Sequence, residues 1–202
     1  MPSIYDLKPR FQALLRPLVN RLASFGITPN QITVAALALS MVVGGSIAMA
    51  PEERWRLLLL PVFLFIRMAL NALDGMMARE LGMESPTGAF LNELGDVLSD
   101  AALYLPLALV PGFSVPLMVA IVVLAGVSEL AGVVAAQIGA SRRYDGPMGK
   151  SDRAFVFGAL GLVMGLGLEA GPWTTWGLAL VAAALVLTVV NRARSGIREA
   201  AR

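Results

Sequence analysis

The chain has 202 residues, of which 57% are hydrophobic and 15% are charged, and its formal net charge is +2. That composition favours one compact membrane domain over a soluble domain built around a single hydrophobic core. The chain contains no cysteine and no histidine, which excludes disulfides, thiolate metal sites and every catalytic scheme that needs an imidazole.

Residues 1–29 contain the first predicted element, an amphipathic helix followed by a turn. Between residues 4 and 25 the large apolar side chains recur at near-helical spacing, and the basic residues lie off that face: Lys8, Arg10, Arg16 and Arg21. The pattern predicts a helix that lies in the membrane interface, bent at Pro9 and Pro17. Such a helix would anchor the chain to anionic membrane lipids, and it would also line an entrance for a lipid substrate.

Six apolar segments follow within residues 30–202, each near the ~20 residues that a membrane helix needs. They run approximately over residues 31–50, 55–78, 88–110, 115–139, 152–168 and 173–191. The predicted fold is therefore all-α and integral to the membrane, with six transmembrane helices plus an N-terminal amphipathic interfacial helix.

Lysine and arginine are distributed unevenly among the predicted loops. With the N-terminus in the cytoplasm, 13 of the 16 basic residues fall on the cytoplasmic side, and the opposite loops hold only Arg54 and Arg56. This arrangement satisfies the positive-inside rule. It also places the polar parts of the second and third spans at their cytoplasmic ends.

A polar stretch from Asn71 to Asp100 interrupts the apolar runs of the second and third spans. Residues three and four apart share one face of a helix. Each of the two spans then carries a polar stripe, formed by Arg67, Asn71 and Asp74 in the second and by Asn92, Asp96 and Asp100 in the third, with Glu93 at its border. Two facing stripes rich in oxygen ligands predict a site for a hard cation such as Mg²⁺, Mn²⁺ or Ca²⁺.

The same stretch resembles the signature of the CDP-alcohol phosphotransferases, integral membrane enzymes that make phospholipid head groups. That signature reads Asp-x-x-Asp-Gly-x-x-Ala-Arg, eight residues, then Gly-x-x-x-Asp-x-x-x-Asp. The chain matches its spacing throughout and its residue types at Asp74, Gly75, Ala78, Arg79, Gly88 and Asp96. The likeness covers most of the chain, including Asn30 before the first span, and it is closest to an uncharacterised bacterial branch with Asn at the first and third Asp positions.

The resemblance implies transfer of a phosphatidyl group from a CDP-linked lipid such as CDP-diacylglycerol to an alcohol, with release of CMP, in phospholipid biosynthesis. It implies one or two Mg²⁺ or Mn²⁺ ions on Asn71, Asp74, Asn92 and Asp96, with Asp96 as the catalytic base for the acceptor hydroxyl. Nucleotide contacts are implied for Asn30, Asp74, Gly75, Ala78, Arg79 and Gly88. The implied setting is the bacterial inner (cytoplasmic) membrane, the implied assembly is a homodimer, and no nucleic-acid partner is expected.

Asn71 and Asn92 depart from the signature, which has Asp at both positions. Asn offers one neutral carbonyl oxygen where Asp offers an anionic pair, so the four positions carry two negative charges. Three hypotheses follow: a working site in which Glu93 and Asp100 supply further metal-binding carboxylates, a site for one metal, or a catalytically degenerate CDP-lipid or nucleotide-binding protein. The first is the favoured hypothesis.

Basic residues near the fifth span and at the end of the sixth have two interpretations. Positive-inside topology and attraction to lipid head groups account for such residues in general. In relatives whose acceptor is itself a phosphate, basic residues in these regions bind it, so the resemblance implies acceptor binding by Lys150, Arg153 and Arg192.

Three further charged residues fall inside predicted spans: Arg67, Asp100 and Glu129. Charged side chains at this depth are expensive and mark a function or a partner. A small transporter is one interpretation. The other is a structural ionic cluster in which the planar guanidinium of Arg67 pairs with Asp100, Glu129 or both.

Overall fold

The computed structural model describes the backbone of residues 4–202 and the side chains of residues 11–202. This part of the chain contains helices and no strand, which confirms the all-α class. Its α-helices are α1 (Ile4–Ser24), α2 (Pro29–Met49), α3 (Leu59–Glu80), α4 (Pro86–Tyr104), α5 (Val115–Gln137), α6 (Lys150–Gly165) and α7 (Pro172–Ala200). Two 3₁₀ segments accompany them, Arg54–Leu58 before α3 and Leu105–Leu109 after α4.

Four helical stretches of the described chain are long and apolar enough to cross a membrane: Pro29–Met49, Arg54–Glu80, Val115–Gln137 and Pro172–Ala200. They coincide with the first, second, fourth and sixth predicted spans. The third and fifth predicted spans are present as α4 and α6. These two helices are not both long enough and apolar enough to be counted as membrane-crossing by length and composition. The polar stretch lowers the hydropathy of α4, and α6 has only 16 residues, among them Lys150, Asp152 and Arg153.

Local side-chain chemistry sets the starts of α2 and α4. Thr28 and Gln31 form a reciprocal cap, in which each backbone N–H donates to the other's side-chain oxygen, at 2.9 and 3.3 Å. Ser85 caps α4, since its Oγ accepts the N–H of Gly88 at 3.0 Å, and Pro86 occupies the first helical position. Both arrangements satisfy N–H groups that a helix start leaves without an intrahelical acceptor.

The chain divides into two compact units. The first consists of the chain up to Leu39 together with Phe65–Asp96, and the second of Ser40–Leu64 together with Val97–Arg202. A small core holds the first unit together, formed by Val19, Ile32, Leu73, Met76 and Met77. In the same unit α1 is one continuous helix, and the Arg16 guanidinium donates to both carboxylate oxygens of Glu80 at 3.0 and 3.1 Å.

The second unit has the larger core, which includes an aromatic stack of Tyr104 on Phe157 with ring centroids 4.3 Å apart. In this unit α2 approaches the end of α4 so closely that a Cβ added at Gly44 would overlap the carbonyl oxygen of Ala102. A backbone atom cannot move aside as a flexible side chain can. Gly44 is therefore required by the packing of these two segments.

We expect Gly44→Ala to lower the free energy of unfolding by about 1–3 kcal/mol, the usual range for overpacking. Gly45→Ala is the matched control, since a Cβ there meets nothing within 4 Å. It adds only helix propensity, worth up to about 1 kcal/mol in the stabilising direction. Melting curves of both variants in detergent check the prediction, and equal stabilities of the two would contradict it.

Candidate active site

Asp74 is the most deeply placed of the signature residues, with 5% of its surface exposed. The hydroxyl of Thr33, on α2, donates to its Oδ2 at 2.8 Å. The same hydroxyl lies 3.1 Å from the carbonyl oxygen of Pro29. Thr33, in the second turn of α2, therefore holds the Asp74 carboxylate in one orientation on α3.

Asp96 is held by Arg67 from the same unit. The Arg67 side chain is 3% exposed and lies 3.6 Å from Asp96 Oδ1, and its Nη2 donates to the Asp96 carbonyl oxygen at 3.1 Å. Asn71 lies one turn from both Arg67 and Asp74 on α3, and Asn92 lies one turn before Asp96 on α4. Asn71, Asn92 and Glu93 are each partly exposed.

The predicted nucleotide residues form two close groups in this unit. A Cβ added at Gly88 would lie 2.7 Å from Asn30 Oδ1, so the backbone at the start of α4 lies directly against that amide. A Cβ at Gly75 would lie 2.9 Å from Arg79 Nη2, which shows that the exposed guanidinium lies over the glycine. At both positions a side chain would meet these polar groups. Ala78 lies between Gly75 and Arg79 on the same helix.

The donor atoms of the signature positions fit a hard divalent cation by type. They comprise the carboxylates of Asp74 and Asp96 and the amides of Asn71 and Asn92. Mg²⁺ is commonly bound by one or two protein carboxylates together with substrate phosphates. Over the described part of the chain no three His, Cys, Asp or Glu residues group closely enough to hold a metal ion, so further ligands would come from amides, water or substrate.

Arg153 is the centre of a buried ionic cluster in the second unit, which consists of Arg153, Arg192, Asp100 and Glu129. Its Nε donates to Asp100 Oδ2 at 2.8 Å and its Nη2 to Glu129 Oε1 at 3.0 Å. Arg153 is 1% exposed, Asp100 3% and Glu129 7%. The guanidinium thus joins carboxylates from two other helices, α4 and α5.

Arg192 completes this cluster from α7. Its Nη1 lies 3.2 Å from Glu129 Oε2 and donates to the carbonyl oxygen of Ser128 at 2.6 Å. Arg142 approaches the same Oε2 at 3.5 Å from a more exposed position. Glu129 therefore contacts three guanidinium groups. The residues near Glu129 in the sequence do not predict these contacts.

The loop between α5 and α6 is fastened to α7 by a second ionic group. Arg143 donates to both carboxylate oxygens of Asp145 at 2.7 and 2.8 Å and to Glu199 at 2.6 Å. Hydrogen bonding from Arg143 lowers the pKa of the Asp145 carboxyl. Thr188 Oγ1 accepts the N–H of Met148 at 3.0 Å, and these contacts fix the approach to Lys150 at the start of α6.

The contacts of Arg153 and Arg67 change the interpretation of the predicted ionic cluster. The cation that joins Asp100 to Glu129 is Arg153, whereas Arg67 contacts Asp96 in the first unit. Pairing of Arg67 with Asp100 or Glu129 stays a prediction, as does binding of an acceptor by Lys150, Arg153 and Arg192. Because Asp100 and Glu129 are bridged by Arg153, the transporter interpretation loses its main support.

Comparison with known proteins places the chain among membrane transferases. The CDP-alcohol phosphatidyltransferase family profile matches residues 26–191. Inner membrane protein YnbA of Escherichia coli is 44% identical over 193 residues, which is 96% of each chain. Phosphatidylinositol phosphate synthase of Mycobacterium tuberculosis is 27% identical over 90% of this chain and 85% of its own.

The crystal structure of a Mycobacterium tuberculosis phosphatidylinositol phosphate synthase with CDP-DAG bound has the same fold, with a TM-score of 0.74 and 24% identity over 89% of this chain and 92% of its own. The structure of that synthase with manganese and citrate gives a TM-score of 0.73 at 24% identity, over 90% and 88%. Together with the four apolar stretches, these comparisons support a multi-pass membrane protein. Because the profile covers most of the sequence, the chain belongs to the CDP-alcohol phosphatidyltransferase family.

Proposed function

We propose that the protein transfers a phosphatidyl or similar substituted phosphate from a CDP-linked lipid to an alcohol. The acceptor oxygen would attack the lipid-bearing phosphorus, the bond between the two phosphates would break, and CMP would leave. The observation that carries the proposal is the pair of oriented carboxylates, Asp74 held by Thr33 and Asp96 held by Arg67. Two carboxylates fixed on successive helices can hold the metal ions that phosphoryl transfer uses.

The residues proposed to hold one or two Mg²⁺ or Mn²⁺ ions are Asn71, Asp74, Asn92 and Asp96. A bound ion would neutralise the diphosphate and stabilise the leaving nucleotide. The related synthase whose structure contains manganese supports use of a divalent ion. Glu93 remains the proposed extra carboxylate, whereas the contacts of Asp100 with Arg153 favour its role as an ion-pair partner.

Other residues of the chain would transfer the proton and bind the nucleotide and the acceptor. Asp96 would accept the proton of the acceptor hydroxyl as that oxygen attacks. Asn30, Gly75, Ala78 and Gly88 would form the surface against which the cytidine lies, and Arg79 would pair with a nucleotide phosphate. Lys150, Arg153 and Arg192 would border the acceptor.

The proposed setting is the bacterial inner membrane, with α2 to α7 all crossing it and with the N-terminus and active site in the cytoplasm. α4 continues into a 3₁₀ segment, so residues 86–109 have the length for a span. The 16 residues of α6 reach about 24 Å at 1.5 Å per residue, somewhat short of the hydrocarbon thickness. α1 would lie in the interface, and a homodimer is the proposed assembly.

Release of CMP by the purified protein tests the proposed reaction. The assay combines CDP-diacylglycerol, Mg²⁺ or Mn²⁺ and a panel of alcohols, and it identifies both CMP and the lipid product. Asn71 and Asn92, which replace two carboxylates of the signature, favour one alternative: a protein that binds the CDP-lipid without turnover. Binding of the CDP-lipid with no CMP release for any acceptor would establish that alternative and reject the enzyme.

Restoring aspartate at positions 71 and 92, where the signature has Asp, is expected to tighten metal binding. We expect Asn71→Asp with Asn92→Asp to raise Mn²⁺ affinity at least about tenfold, because opposite charges ~4 Å apart attract by about 4 kcal/mol near a protein surface. Calorimetric titration with Mn²⁺ measures the change. Asn191→Asp, at an exposed position on α7, is the control.

The contribution of Glu93 is measured in the same titration. If Glu93 supplies a metal-binding charge, Glu93→Gln loses both affinity and turnover while the melting temperature is retained. Full turnover and full metal affinity in both Glu93→Gln and Asp100→Asn would reject the hypothesis that these two residues supply further metal-binding carboxylates.

A further inference from the structure

We propose that Thr33 is a positioning residue for the metal site: its hydroxyl fixes the Asp74 carboxylate in the orientation that binds the cation. The inference rests on the proposed function for the role of Asp74 as a metal ligand. Thr33 lies on α2, outside the signature, whose residues lie on α3 and α4. The residues that carry the inference all belong to the first compact unit.

The Thr33 hydroxyl has one proton and two oxygen atoms within reach. Asp74 Oδ2 lies 2.8 Å away, and the carbonyl oxygen of Pro29 lies 3.1 Å away. In a helix that carbonyl is also the acceptor for the backbone N–H four positions later, which belongs to Thr33 itself. The carboxylate is the nearer oxygen, and hydrogen bonds to an ionised acceptor are roughly twice as strong as those to a neutral one. The hydroxyl therefore donates to Asp74.

The backbone that carries Thr33 is fixed at the start of α2. Thr28 and Gln31 cap this helix end, and Ile32 belongs to the small core of the unit. Thr33 is β-branched, so its χ1 angle has few alternatives within a helix. A donor whose backbone and side chain are both restricted can hold a carboxylate in one orientation.

The two branches of the Thr33 side chain contact different helices. The hydroxyl reaches Asp74 on α3, whereas a Cβ added at Gly95 on α4 would lie 3.4 Å from the Thr33 methyl group. The methyl group therefore lies close to the α4 backbone, directly before Asp96. Because one branch orients a carboxylate and the other packs, substitutions at this position can separate the two effects.

Orientation of Asp74 should matter for metal affinity. The hydrogen bond from Thr33 uses one lone pair of Oδ2 and leaves the other acceptor positions of the carboxylate to a cation. Asp74 is 5% exposed, so bulk water has little access to replace a lost donor. Groups that orient a metal ligand in this way commonly account for about 10–100-fold in metal affinity.

The experiment separates the hydroxyl from the methyl group. Thr33→Val keeps the branched shape and removes the hydroxyl, and we expect its Mn²⁺ affinity in calorimetric titration to fall by about tenfold or more. Thr33→Ser keeps the hydroxyl and removes the methyl group, and its affinity should stay within about threefold of wild type. Thr33→Ala also lacks the hydroxyl and adds no apolar group, and it decides the outcome if Thr33→Val does not fold.

Thr174→Val is the matched control. Thr174 is a buried threonine of the second unit whose hydroxyl donates to the carbonyl oxygen of Gly171. Its replacement should lower the melting temperature, because a buried hydrogen bond is lost, and should leave the Mn²⁺ affinity unchanged. Where CMP release is measurable, the Mn²⁺ concentration for half-maximal release should rise in Thr33→Val by the same factor as the loss of affinity.

The outcomes separate this inference from the proposed function. Unchanged Mn²⁺ affinity in a folded Thr33→Val overturns the inference, and so does an equal loss in Thr33→Ser, since the methyl group would then be the branch that matters. If wild-type protein binds no Mn²⁺, the inference fails even where CMP release supports the proposed reaction. If no alcohol releases CMP, the proposed function fails, while the Mn²⁺ titrations still decide the role of Thr33.

Discussion

Replacing Arg153 by methionine should lower the free energy of unfolding by about 3–5 kcal/mol, the usual loss when one partner of a buried ion pair is removed. The variant keeps an unbranched apolar stem and removes the cation that Asp100 and Glu129 share at 2.8 and 3.0 Å. Both carboxylates belong to buried residues. Chemical denaturation in a mild detergent, followed by helix content, measures the loss.

Arg143→Met is the control for this prediction, because Arg143 makes equally short ion pairs but is partly exposed, as are both of its partners. It should cost no more than about 1 kcal/mol per pair. Combining Arg153→Met with Asp100→Asn should recover much of the stability, since the buried carboxylate charge on residue 100 is then removed while Glu129 keeps Arg192 as its partner. Equal losses for Arg153→Met and Arg143→Met would show that burial does not govern the strength of these pairs.

Asp96→Asn should reduce CMP release by at least about 10²–10⁴-fold, the usual contribution of a general base. An amide has the shape of the carboxylate but cannot accept the acceptor's proton. The backbone carbonyl of residue 96 still accepts the hydrogen bond from Arg67, so the fold and nucleotide binding should persist. Kinetics with saturating acceptor and calorimetric titration with CMP separate these two effects.

Glu84→Gln is the matched control, because Glu84 is an exposed carboxylate in the loop between α3 and α4. It should leave turnover unchanged. Unchanged turnover in Asp96→Asn would rule out Asp96 as the base, whereas loss of CMP binding in that variant would point to a role in holding the nucleotide or its metal.

Local features of the fold were predictable because they depend on residues close together in the sequence. The helical spacing of polar residues placed Asn71 and Asp74 on one helix and Asn92 and Asp96 on the next, as the structure has them. Hydropathy located α2, α3, α5 and α7 correctly. The proximity of Asn30 to Gly88 was not predicted, because no periodicity links residues so far apart.

Errors at helix ends arise because hydropathy and helix formation are different properties. Apolar sequence continues to Val110, yet α4 ends at Tyr104 and a 3₁₀ segment follows, since Pro106 cannot donate a backbone hydrogen bond. The opposite occurs in α7, where the apolar run ends near residue 191 but the helix continues to Ala200. Its last turns are polar and remain good helix formers.

Contacts between distant helices could not be obtained from the sequence. Thr33 reaches Asp74 across 41 positions, and Arg153 reaches Asp100 across 53. Depth along a span indicates which charged residues lie at one level, but not which face each helix turns toward its neighbour. For that reason the pairing of Arg153 with the buried carboxylates of Asp100 and Glu129 was not predicted.

The joining of Asp100, Glu129, Arg153 and Arg192 across four helices has an evolutionary consequence. A substitution that removes one of these four charges leaves the others imbalanced in the interior. The singly substituted protein is therefore less stable than both the original protein and one with a compensating second substitution. Lineages should therefore keep the set or exchange it through compensating changes made close together in time. Relatives that have lost Glu129 should carry a different residue at position 153 or 192, or have acquired an anionic ligand that restores the balance.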